Sequence, residues 1–217
     1  MNFDFALFMR SIPVLAEGLQ TTIALALPAL LLSALWGVPV VMGLLSPARP
    51  LALLTRAYVE VVRNTPVLVQ MFFLFFGSGM LGFPISGFMA GLIALVLQNG
   101  AYIAEIYRGG IRGVPQRQTE AGLALGLAPR AVFRIVVLPQ ALRKVIPPLS
   151  NQGVLIIKDT SLVAAIAVAE MTLQARMLAD RTAAVFEIFL ALALMYVALT
   201  AVFSGVMRLL ERRLRIV

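Results

Sequence analysis

From Gly18 to Ala48 the chain contains no charged residue. A water-soluble domain cannot hide so long an apolar run, whereas the hydrocarbon core of a bilayer, ~30 Å thick, requires about 20 such residues in a helix. Further runs of this kind recur along the chain, and the composition agrees: 61% hydrophobic residues, 13% charged and a mean hydropathy of +0.96 over 217 residues. Soluble domains carry about a quarter charged residues, so too little polar surface exists here to face water. The chain reads as an all-α membrane protein and a single transmembrane domain over 1–217, with five spans near 19–45, 51–76, 86–107, 145–169 and 185–207. The first run exceeds the apolar region of a signal peptide and lacks a strongly positive flank. It is expected to be a retained helix and not a cleaved leader.

Charge gives the direction. The segments 46–56, 108–144 and 208–217 hold thirteen Lys and Arg residues, including Arg143, Lys144, Arg212, Arg213 and Arg215; the opposite side holds Arg10, Arg176 and Arg181. Basic loops stay in the cytoplasm, which predicts the N-terminus outside and the C-terminus inside. The terminal arginines would anchor to anionic headgroups. The net charge of +8 therefore points to membrane lipid and not to nucleic acid. With no Cys and no His, disulfides are excluded, a transition-metal site is disfavoured, and the commonest general base and thiol nucleophile are missing.

One connection is out of proportion. Residues 108–144 form a loop with two helical stretches, Gln118–Leu127 and Pro129–Val137, and Pro129 suits the first turn of a helix. Ala121, Gly122 and Gly126 leave a shallow face on which another protein can approach, and Glu120, early in its helix, can cap free amides and meet the positive dipole end. The bland alternative is an amphipathic loop helix lying on the membrane.

Within this loop, Glu120-Ala121-Gly122, three residues, Gly126, nine residues, Val136-Val137-Leu138-Pro139 resembles the coupling-loop signature of ABC importer permeases. The family has Ala where Gly122 stands and Ile where Val136 stands. Other blocks are similar to its polar amino-acid subfamily, the histidine-, glutamine- and arginine-type permeases. They are Gly18-Leu19-Gln20-Thr21-Thr22, Glu60-Val61-Val62-Arg63-Asn64-Thr65-Pro66, Gly100-Ala101-Tyr102-Ile103-Ala104-Glu105 and Lys158-Asp159-Thr160-Ser161-Leu162. The resemblance implies a type I importer permease that works as a homo- or heterodimer with two ATP-binding cassette subunits. A periplasmic or lipid-anchored binding protein would deliver the solute, and transport would proceed by alternating access. It also implies that Glu120, Ala121, Gly122, Gly126, Leu127 and Pro129 dock into the ATPase. No Gly-x-x-x-x-Gly-Lys-Ser/Thr occurs, since neither Lys144 nor Lys158 follows Gly, so ATP and magnesium are expected on another chain and this one is not an enzyme.

Ionisable groups at bilayer depth cost ~2.5–3.5 kcal/mol or more and suggest function or pairing. Lys158 and Asp159 fall near the middle of the fourth expected span, and Thr160 and Ser161 can ease a break in its helix by bonding to backbone. Asp159 is the expected contact for a solute's amino group or cationic side chain, with Lys158 paired to a carboxylate on another span. The alternative is a structural ion pair at a subunit interface. Gln98, Asn99 and Tyr102 either line a polar cavity or bond to a neighbouring helix. Asn64-Thr65-Pro66 interrupts the second span, as a ligand contact or as a plain kink. Glu105 and Arg108 read as a surface-level pair. The rival function is a secondary transporter or channel for small polar solutes, although an odd number of spans gives no even inverted repeat.

Overall fold

The computed structural model describes residues 3–214, so Arg215 lies outside the described residues. Among those described, the chain is helical throughout, without a strand. Helix α1, Phe5–Leu44, is 40 residues long, or ~60 Å at 1.5 Å per residue. It starts well before the expected position 19 because Asp4 caps it, accepting the Leu7 amide at 3.0 Å. Hydropathy locates where a chain can cross a bilayer, not where its helix begins. The buried residues of α1 recur every three or four positions (Ser11, Leu15, Gly18, Thr22, Leu25, Ala29, Ser33, Gly37), a stripe of mostly small side chains.

From Leu25 onward that stripe lies against α4, Gly87–Arg112, which is the centre of the molecule and also meets α2, α3 and α7, while Leu15, Gly18 and Thr22 meet the later helices. Lipid offers no hydrophobic drive to join helices, so contact depends on close packing of small residues. Gly100 shows how close the packing is, since a Cβ there would come within 2.5 Å of the Trp36 ring.

The second expected span is two helices, α2, Arg49–Asn64, and α3, Val67–Met80, whose axes are bent by 100°. Pro66 disfavours a helical residue before it, and Thr65 is extended. After α4 come α5, Gln116–Ala124, and α6, Pro129–Val132; a π-helical stretch, Phe133–Val137, then runs straight into α7, Leu138–Asp159. The fourth expected span, 145–169, is thus redrawn. Its helix begins in the loop, ends at Asp159, and gives way to a 3-10 segment, Thr160–Ile166, that terminates at Ala167 in the left-handed conformation, φ 61°. Helix α8, Met171–Thr182, occupies a stretch for which the sequence suggested no element, and α9, Val185–Leu214, completes the chain.

Three helices, α1, α4 and α9, are long and apolar enough to cross a membrane, and the bent α2–α3 pair adds a fourth if it counts as one span. Helix α7 falls short on composition, because it carries Arg143 and Lys144 near one end and Lys158 and Asp159 at the other. Large apolar side chains face outward over much of the surface, among them Phe73, Met80, Phe83 and Leu53. Such a surface is stable against hydrocarbon and unstable in water.

Candidate functional site: a docking loop and the polar groups of the spans

The loop between α4 and α7 folds into a hairpin of short helices. Helix α5 ends because Gly126 adopts φ +79°, which costs an L side chain ~1–2 kcal/mol. The Gly126 amide donates to the Leu123 carbonyl at 2.9 Å and the Leu127 amide to the Gly122 carbonyl at 3.2 Å, the paired bonds of a Schellman cap. Gly126 therefore acts through backbone conformation. A Cβ there would meet open space, and the residue is exposed. Gly122 is buried facing inward, where a Cβ would come within 3.1 Å of Val132. It brings α5 onto α6 and is not part of an outward shallow face. Leu127 packs with Val114, Val132, Val137 and Ala141 and fastens the hairpin to the ends of α4 and α7. Pro129 opens α6 and is exposed.

Of the residues expected to dock, Glu120 and Ala121 of α5 face outward, as does, unforeseen, Leu125 just after the helix, which is 81% exposed. Glu120 stands at the fifth position of α5, past the free amides of the first turn, so it caps nothing; its Oε1 accepts from Gln116 Nε2 at 2.9 Å. The result is a small, tightly closed knob that carries an exposed acidic side chain and an uncovered leucine at its tip. An apolar contact with charged surroundings is what a protein partner can use.

The polar groups of the spans fall into three separate places. At the corner between α2 and α3, the Thr65 hydroxyl donates to the Val61 carbonyl at 2.8 Å, and Tyr102 donates to the Arg63 carbonyl at 3.3 Å. The Arg63 guanidinium lies 4.8 Å from the centre of the Tyr102 ring, in cation–π range. Gln70, which the sequence reading passed over, donates to the carbonyls of Val62 and Thr65 at 2.9 and 3.1 Å. The carbonyls freed by Pro66 thus find partners, and Asn64 is left exposed at the end of α2.

Deeper along α4, Asn99 is buried. It donates to the Leu95 carbonyl at 2.8 Å and accepts from Gln152 Nε2 on α7 at 2.7 Å. Of the two readings of Asn99, the helix–helix bond is the one formed. Gln98 differs, since its Oε1 is buried and has no hydrogen-bond partner.

The third place is the break after α7. The Thr160 hydroxyl donates to the Ile157 carbonyl at 2.7 Å, and the helix tightens there. Asp159 and Ser161 are half-buried and Lys158 is exposed. Among the described residues Lys158 has no carboxylate partner, contrary to the expected cross-span pair; the one ion pair is Arg108 with Glu105 near the C-terminal end of α4. Seven residues separate Gln152 from Asp159, ~10 Å along a helix, so Asp159 is displaced from the Asn99 level and does not join one midplane cluster.

A further fastening was not anticipated. Glu170 is fully buried, caps α8 by accepting the Leu173 amide at 2.9 Å, and accepts the Tyr196 hydroxyl at 2.9 Å. Beside it the Met171 amide donates to the Thr22 hydroxyl at 3.3 Å, so α1, α8 and α9 meet at one point. The signal available in the sequence was an acid placed just before a helical stretch.

Residues 30–216 match the family described as binding-protein-dependent transport system inner membrane component. The chain is 37% identical to the glutamine transport system permease protein of Escherichia coli (strain K12), over 100% of both chains. It is 35% identical to the nopaline transport system permease protein of Agrobacterium fabrum, covering 96% of this chain and 90% of that one. Among solved structures, the crystal structure of an amino acid ABC transporter with histidines superposes with a TM-score of 0.92 at 34% identity, covering 98% of this chain and 100% of that one.

Proposed function

The chain belongs to the family of binding-protein-dependent transport system inner membrane components, and on that premise we propose that it forms one half of the membrane pathway of an ATP-driven importer for polar amino acids. The observation that carries the reading is the closed α5–α6 hairpin, which offers Glu120, Ala121 and Leu125 to a partner while Gly122, Gly126 and Leu127 hold its shape. The partner is a separate ATP-binding cassette subunit that binds ATP and magnesium, so hydrolysis takes place outside this chain. A binding protein on the other face delivers the solute, and a second permease, identical or related, completes the pathway.

Residues 1–217 act as one transmembrane domain with five crossings: α1, the α2–α3 pair, α4, α7 with its 3-10 extension, and α9. The distribution of basic residues supports an outer N-terminus and a cytoplasmic C-terminus. The cargo class rests on the relatives, whose names specify glutamine and nopaline. Within the pathway, Gln98 is the leading polar contact because its carbonyl oxygen lacks a partner. The half-buried Asp159 and Ser161 beside the helix break, and Tyr102, Asn64 and Thr65 around the corner, extend that path; Asn99 serves it by holding α4 to α7. ATP binding and loaded binding protein must both favour the outward state, since a ligand shifts an equilibrium only through differential affinity.

The test is uptake into vesicles containing this chain, its ATPase and its binding protein. Glutamine uptake that needs internal ATP and survives collapse of the proton gradient is the expected result. Uptake without the ATPase, or driven by the proton gradient alone, would overturn the proposal in favour of a secondary transporter.

A further inference from the structure

None of the polar pathway residues lines a long apolar depression beside α1 and α4. That depression is a groove of about 1570 Å³ between the end of α1, one face of α2, the inner end of α4 and the first turns of α7. It exceeds the ~300–1,000 Å³ of a small-molecule pocket, and its walls are almost wholly apolar. Leu51, Leu54 and Tyr58 of α2 line it at helical spacing, while Arg49, Arg56, Glu60 and Arg63 lie on the opposite side of the same helix. The charged face of α2 is thus turned to water and the groove to hydrocarbon.

The two ends of the groove differ. At one end the polar atoms are already satisfied, since Trp36 Nε1 donates to the Tyr58 hydroxyl at 2.8 Å, which in turn donates to the Leu97 carbonyl at 2.7 Å. The other end lies where α1 stops at Leu45–Pro47 and is lined by Arg143 of α7 and Arg213 of α9. These helices run antiparallel, since Ser150 bonds to Glu211 while Gly153, further along α7, lies against Phe203, earlier in α9, so both arginines belong to the same end. Neither arginine has a carboxylate or carbonyl partner among the described residues, whereas the neighbouring Lys144 is engaged by the Gly113 carbonyl. Glu211 is held by Ser150 at 3.0 Å and does not line the groove. From Leu138 to Leu149 the wall runs 11 residues, ~17 Å of helix, close to half the ~30 Å hydrocarbon core.

We propose that this groove holds one anionic phospholipid of the inner leaflet, with its phosphate at the Arg143 and Arg213 end and its acyl chains running toward Trp36 and Tyr58. The leaflet follows from the orientation argued above and rests on that reading. Two arginines without carboxylate or carbonyl partners among the described residues, at the mouth of an apolar slot one leaflet deep, match a headgroup and its tails in both charge and length. Phe133 and Leu138 are part of the wall, so the lipid sits where the docking hairpin passes into α7.

The experiment is native mass spectrometry of the assembled transporter released from vesicles of equal phosphatidylglycerol and phosphatidylcholine. Retention enriched in phosphatidylglycerol is expected. Arg143→Gln and Arg213→Gln should each lower that enrichment about 5-fold, the weight of one basic residue at an anionic surface. Leu54→Trp should put a bulky ring across the slot and remove one retained lipid of either kind. No preference in the native protein, or enrichment untouched by all three variants, would overturn the site. A high-yield disulfide between copies carrying Leu142→Cys would show that a second permease covers the groove, and would overturn it too. Because the chain has no native cysteine, Ser46→Cys gives an independent reading of sidedness. Labelling of that residue from outside intact cells would overturn the leaflet and the orientation while leaving the phosphatidylglycerol enrichment standing.

Discussion

The docking hairpin and the interior of the spans are built on opposite logic. In the hairpin, each feature is set by residues a few positions away: Gly126 stops α5, Pro129 starts α6, and Gly122 lets the two meet at Val132. In the spans, polar side chains find partners far off in sequence, such as Asn99 with Gln152 or Tyr102 with the Arg63 carbonyl. The loop is therefore expected to fail by losing its shape or its outward contacts while the spans stay folded. The interior is expected to fail by losing stability and passage together. Each prediction below either sharpens this contrast or breaks it.

The largest effect should come from Gly122→Leu. Overpacking against Val132 costs ~1–3 kcal/mol and would pry the hairpin open. ATP-dependent uptake should be lost while membrane insertion and thermal unfolding of the spans stay as they were; retained uptake would break the comparison. Glu170→Ala comes next. It leaves the Tyr196 hydroxyl and the Leu173 amide without their acceptor, a penalty of about 1–3 kcal/mol or more, read as a lower unfolding temperature in detergent.

The hairpin was largely legible before any coordinates, because turn and cap chemistry is local. The reading of Gly122 was corrected because whether it points outward depends on the register between two short helices, which spacing alone does not reveal. The spans were legible as apolar runs but not as helices. Neither the 100° corner nor the handover from α6 into α7 changes hydropathy, and α8 has too little of it to stand out. Pairings such as that of Gln152 with Asn99 were hidden because a lone polar residue in an apolar run does not name its partner. Lys158 illustrates the converse: a charge that invited a partner stands exposed without one among the described residues.

Smaller effects sharpen the interior side. A double-mutant cycle on Asn99→Ala and Gln152→Ala should give a coupling energy of ~0.5–3 kcal/mol in unfolding, as for residues in direct contact. Additivity would release Asn99 from its packing role. Asp159→Asn should raise the KM for a cationic amino acid several-fold with little change in unfolding temperature, and an unchanged KM and rate would remove Asp159 from the path. The smallest change is expected from Leu125→Ala, which trims one exposed contact and should weaken binding of the ATPase by about 1 kcal/mol without altering the fold.

The corner at Pro66 has a mechanical meaning. Two rods joined at 100° behave as a bell crank, so a thrust along α2 reaches α3 almost entirely as a sideways swing. A straight rod would turn the same thrust into sliding along its own axis, drawing Phe72, Phe73 and Phe76 lengthwise past whatever they rest on. The corner spares α3 that sliding, and its rings move broadside instead.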